Sequence, residues 1–199
     1  DRRLRRIGRR WLPEARARAA GAPSMARAVA PQAVPAVGDT ATFGVFCTGQ
    51  PDVFARARSV SDEAVIYEDT VLASTGKGLS DARYDSIAAR FDTLSLPVDT
   101  TYFGSPRDID GNGRVIMLFT PAVNRLDGDY SDGFIVGFFC AADLAGGNEG
   151  EMFYLVAPDP DGGFTDAGDG GLSREFVRSI IEGTVIHELQ HLINAQIGG

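Results

Sequence analysis

The chain has 199 residues, 44% of them hydrophobic, and a formal net charge of -8. That hydrophobic share supports a packed core and excludes a wholly disordered chain, and no apolar run approaches the roughly 18 residues a membrane span needs. Of the 19 basic and 27 acidic residues, nine Arg sit in residues 1–27 against Asp1 and Glu14, so the remainder keeps ten basic and 25 acidic residues. Such an acidic body would repel nucleic acid and anionic membrane rather than attract them, and no nucleic-acid partner is expected.

Residues 1–37 read as an Arg/Ala/Pro-rich tail or a pro-region remnant, without a steady apolar period. They also lack the apolar stretch of a signal peptide. The folded part, 38–199, opens with a strand over Thr40–Cys47 and a second over Ala64–Tyr67. Ser80 is placed to cap a helix whose stripe is Tyr84, Ile87, Ala88 and Phe91, with Pro97 expected to close it. Val115–Phe119, Phe134–Cys140 and Met152–Val156 read as further strands. Residues 157–172 form a Pro/Asp/Gly loop, with Asp159, Asp161, Asp166 and Asp169 expected in solvent. A second helix starts after Ser173 and carries Val177, Ile181, Val185, Leu189, Leu192 and Ile193, with Gly198-Gly199 placed to end it. Strands interspersed with helices predict an α/β or α+β domain with a mixed sheet.

Cys47 and Cys140 each end an apolar strand-like run. Their matching settings predict one structural bridge and an oxidising compartment, hence a secreted protein. Two buried free thiols are the alternative.

The last helix contains His187-Glu188-Leu189-Gln190-His191. Residues four apart face the same way on a helix, so His187 and His191 can bind one zinc ion. Glu188 projects beside them, where a general base can take a proton from water. The chain has only two His, and both lie in this motif. A third ligand is missing. The long metzincin pattern needs Gly and His where Asn194 and Ile197 stand, so that class is excluded. A carboxylate from elsewhere is required, which leads to the expectation of a domain truncated after its first metal helix.

Asp108-Ile109-Asp110-Gly111-Asn112-Gly113 matches the first half of a calcium loop, with oxygens from Asp108, Asp110 and Asn112 and a turn Gly at the sixth position. The twelfth position is Phe119 instead of Glu. The competing reading is a tight Asx-type turn feeding a strand. Asp127, Asp129 or Asp132 could assist a partial calcium site. Asn148, Glu149 and Glu151 read as a solvated turn or as the rim of a cleft.

Together these stretches resemble the hyicolysin family of bacterial secreted zinc metallopeptidases. The resemblance runs through Gly38-Asp39-Thr40, Ala64–Tyr67, Phe103–Val115, Asn148–Tyr154 and Thr184–Asn194. It implies an α+β, zincin-like mixed sheet packed on the active-site helix, zinc held by His187 and His191, and Glu188 as catalytic acid/base. A Glu downstream of the motif would complete the site. The expected activity is hydrolysis of peptide or protein substrates laid along an edge strand, either Phe134–Cys140 or Met152–Val156. The rival expectations are a zinc hydrolase of other substrates and a calcium- or partner-binding surface module with an inert motif.

Overall fold

The computed structural model describes residues 32–126, 134–165 and 171–197. The Arg-rich segment 1–31, the acids Asp127, Asp129, Asp132, Asp166 and Asp169, and the helix-ending Gly198-Gly199 lie outside these residues. The protein is α+β, built on one six-stranded mixed sheet. Its strands are β1 (Thr40–Phe43), β2 (Val53–Val60), β3 (Ala64–Asp69), β4 (Val115–Phe119), β5 (Gly137–Phe139) and β6 (Met152–Leu155). They lie in the order β1-β2-β3-β4-β6-β5. The central pairs β3–β4 and β4–β6 are parallel, and the outer pairs are antiparallel.

Parallel strands buried on both faces read as continuous apolar runs, which Val-Ile-Met-Leu-Phe of β4 and Met-Phe-Tyr-Leu of β6 satisfy. By contrast β2, absent from the strands expected above, alternates buried Val53, Ala55, Ala57 and Ser59 with Phe54 and Arg56 outside. Its inward residues are small, so the alternation carries little hydrophobic contrast. Three expected strands are shorter than predicted: the first stops at Phe43, β5 keeps only Gly137–Phe139, and β6 ends at Leu155.

Rows of paired residues define two faces. Glu68, Phe119, Leu155 and Gly137 form one row, and Tyr67, Leu118, Tyr154 and Phe138 form the next. Successive strand residues point to opposite faces, so the first row lies under the helices: Phe119 meets Tyr84 at 5.3 Å between ring centroids. After the short α1 (Thr70–Thr75), α2 (Asp81–Arg90) packs there. The helical path then continues through a π-helical turn, Phe91–Ser95, into α3 (Leu96–Phe103). Pro97 therefore does not close the helix. The wider turn makes room for its ring and for its missing N–H. α4 (Pro121–Asn124) is a single turn capped by Thr120, and α5 (Arg174–Ile197) is the long C-terminal helix. Among the described residues no helix is long and apolar enough to cross a membrane.

The opposite face is covered by the loop after β1 and by residues 140–150. Cys47 and Cys140 join across it with Cα atoms 5.9 Å apart, the bridge expected from their settings. A disulfide is compatible with an extracellular protein. Beside it the Asn148 amide donates to the Gly44 carbonyl at 2.9 Å and to Asp143 Oδ1 at 2.7 Å. The Tyr154 hydroxyl lies 2.9 Å from both Gly44 O and Asp143 Oδ2. Burial pushes the Asp143 carboxyl up to about 7. One phenolic hydrogen cannot serve two acceptors, and a protonated Asp143 supplies the missing donor.

Asp159 corrects the expectation of a solvated acid. It is fully buried, pairs with Lys77 Nζ at 2.7 Å, and accepts the Gly163 and Phe164 N–H groups at 2.9 and 2.8 Å. A buried carboxylate persists only with such partners, and the chain's one Lys joins it to the exposed Asp161, which is also ion-paired.

Candidate active site

The apolar positions Val177, Ile181, Val185, Leu189, Leu192 and Ile193 are buried and fix the rotation of α5 about its axis. His187 and His191, four apart, are both exposed. Their Nε2 atoms lie 3.1 Å apart. Two nitrogens on one zinc ion, each about 2.0–2.1 Å away, stand roughly 3.3 Å apart at a tetrahedral angle. The pair fits a shared ion to within a few tenths of an ångström. Among the described residues no third His, Cys, Asp or Glu joins these two.

Glu188 is 3% exposed. One residue along a helix is a rotation of about 100°, which turns this side chain from the His face towards the sheet. It meets the edge strand β5. The Phe139 backbone N–H donates to its carboxylate, while burial raises its pKa to about 7. Gly137 makes the approach possible. A Cβ there would stand 2.7 Å from Thr184 Cγ2, 2.9 Å from the Tyr154 carbonyl and 3.3 Å from Glu188 Cγ. The Gly inside a strand pattern was the available sign of this close approach. Of the two expected edges, β5 lies at the margin of the sheet, whereas β6 lies between β4 and β5 and cannot offer a free edge.

Gln190 is held from the other side. It hydrogen-bonds Asp99 of α3, a buried residue whose carboxyl is raised by desolvation. Nothing in the sequence marked Asp99, because the helix carrying it was expected to stop at Pro97.

The Asp-rich turn lies beyond the C-terminal end of α5. Asp108, Asp110 and Glu151 bring carboxylate oxygens within 4.8 Å of one another and form a group able to hold a metal ion. Asn112 is buried and donates to Asp110 Oδ2 at 2.6 Å. The turn is Asx-type, as the competing reading held: Asn112 N–H bonds Asp110 Oδ1 and Gly113 N–H bonds Asp108 Oδ1, each at 3.1 Å. Glu151 is 2% exposed, so it belongs neither to a solvated turn nor to the rim of the His face. Burial, then the charges of Asp110 and Asp108, push its carboxyl up to about 7. Glu149 is exposed, and Asn148 serves the Tyr154–Asp143 network instead.

No protein-family model matches the chain, and no curated protein aligns with it significantly.

Proposed function

We propose that this chain carries the catalytic helix of a zinc-dependent endopeptidase with a zincin-like fold, as its resemblance to the hyicolysin family implies. The observation that supports this most is the pairing of His187 and His191 Nε2 atoms at 3.1 Å, with Glu188, one residue along the same helix, held at a sheet edge by the Phe139 N–H. His187 and His191 would hold zinc, leaving its other positions to a further ligand and to water. When bound, zinc supplies Lewis acidity towards a carbonyl and lowers the pKa of water. Glu188 takes the proton from the attacking water and passes it to the leaving amine. The Phe139 N–H holds that carboxylate in place, so it need not reorganise when the proton moves.

Among the described residues, β5 pairs only with β6. Apart from the Phe139 N–H, which Glu188 already holds, its outer edge is suited to an extended peptide bound by main-chain hydrogen bonds, which favours a peptide over a compact substrate.

Zinc analysis and cleavage of a fluorogenic peptide, on the longest natural form of the protein, test the reading. Hydrolysis is expected to fall about 10²–10⁴-fold in Glu188→Gln, the range of general acid–base catalysis, with zinc content unchanged. Activity near wild type in that variant refutes the mechanism. Zinc affinity unchanged in His187→Ala refutes the metal site.

A further inference from the structure

The Asp108–Gly113 turn presents carboxylates at the first and third positions of a calcium loop and Asn112 at the fifth. Gly113 occupies the sixth, with φ 69°. What the local sequence lacks is the closing acid, because Phe119 occupies the twelfth position. The fold supplies one from the residue just before β6. Ile116 N–H bonds the Glu151 carbonyl at 2.7 Å, and Ile109 N–H bonds Glu151 Oε1 at 2.7 Å. These two bonds seat Glu151 against the turn, with its carboxylate in the same group of oxygens as Asp108 and Asp110.

The second carboxylate oxygen is the telling one. Glu151 Oε2 is fully buried and, among the described residues, has no hydrogen-bond partner. Buried carboxylate oxygens are normally paired or bound to a cation. Among the described residues no Arg or Lys forms an ion pair with Asp108, Asp110 or Glu151. Asp108 and Glu151 also line a cavity of about 220 Å³ together with Gly113, Arg107 and Arg114.

We infer that Asp108, Asp110 and Glu151 form a calcium site closed by an acid from the residue that precedes β6; Asn112 shapes the turn instead, its side-chain oxygen accepting the Arg114 N–H at 2.7 Å. An all-oxygen, carboxylate-rich donor set selects hard cations over zinc. Calcium accepts six to eight oxygens in irregular arrangements, whereas magnesium demands a near-ideal octahedron. Ligands drawn from an irregular turn and a separate segment suit the former. The site also touches the helix bearing His187. Gln196 of α5 accepts the Arg107 N–H at 2.6 Å and places its amide 3.4 Å from Glu151 Oε1. Bound calcium would tie the last turn of α5 to the β4–β6 end of the sheet. This role does not depend on zinc binding.

The test uses the full chain after EGTA treatment, with isothermal calorimetry and thermal unfolding in calcium chloride up to about 5 mM, above the affinity range of extracellular calcium modules. One calcium per chain and a raised melting temperature are expected. Asp108→Asn, at an exposed position, and Glu151→Gln should each weaken binding at least tenfold. His187→Ala should leave calcium affinity unchanged, which separates this site from the zinc motif. Absence of binding, or wild-type affinity in Asp108→Asn, overturns the inference. Equal stabilisation by magnesium overturns the assignment to calcium. If Glu151→Gln does not fold, Asp108→Asn decides alone.

Discussion

Removal of the disulfide, as Cys47→Ala/Cys140→Ala, isolates one of the larger stabilising terms in this fold. The bridged residues are 93 apart in sequence. The loop-closure relation gives an entropy near 16 cal/mol/K for that separation, or about 4.6 kcal/mol at 25 °C. The contacts around the bridge should survive in the native state, because Gly44 stays bonded to Asn148 and Tyr154 without it. The loss therefore falls mainly on the unfolded chain, which becomes freer to expand. Against a usual domain stability of about 5–15 kcal/mol, it is a large fraction. Urea unfolding followed by circular dichroism should show a much lower midpoint, a slope at least as steep as wild type, and an unchanged native near-ultraviolet spectrum. A loss under about 1 kcal/mol would show that the unfolded state is already compact around residues 47–140, and the entropic reasoning would fail.

Two glycines near the catalytic motif should respond in opposite directions. Gly137→Ala drives a methyl into the Tyr154 carbonyl and Thr184, and should cost about 1–3 kcal/mol in thermal unfolding; a wild-type midpoint would contradict the close approach. Gly183→Ala meets nothing within 4 Å and should stabilise α5 by up to about 1 kcal/mol through helix propensity. Asp143 gives a pH signature. Its folded pKa, about 7, lies above the unfolded value near 3.9, so its stabilising contribution is complete below about pH 4 and lost as pH rises through about 7. Asp143→Asn, with its amide nitrogen facing Tyr154, should flatten the stability profile between pH 4 and 7, and an unaltered slope in urea titrations across that range would rule the proton out.

Legibility in the sequence followed the strength of local pattern. The central strands and α5 were readable because their apolar runs and helical stripe are unambiguous, and the Cys pair because its two settings match. The strand β2 was not, since alanines give its buried positions too little contrast with Arg56 and Phe54. The helical path through Pro97 was missed because the proline rule assumes an α-helical turn before the ring, and here that turn is π-helical. At the candidate site, the spacing of His187, Glu188 and His191 was legible as a motif. Gly137, Asp99 and Glu151 were not, because each acts through a partner distant in sequence: α5, Gln190 and the Asp-rich turn respectively. A buried acid in an acidic chain looks like any other until the fold shows what faces it, as Asp159 and Glu151 both demonstrate.

The rotation of α5 links these observations. Its buried stripe, from Val177 to Ile193, packs on the sheet without any contribution from His187 or His191. The imidazoles are therefore presented by core packing, and a metal need not organise them. Glu188, about 100° further round, arrives at β5 because the stripe leaves that angle at the sheet's margin. There Gly137 removes the side chain that would obstruct it, and the Phe139 N–H receives its carboxylate. Hydrophobic burial sets the helix angle, one missing Cβ sets the distance, and one backbone amide sets the carboxylate. A fixed carboxylate one residue along the helix from paired imidazoles is thus built by elements that also stabilise the fold. Disturbance of α5 packing should for that reason reach the chemistry even where no motif residue is touched.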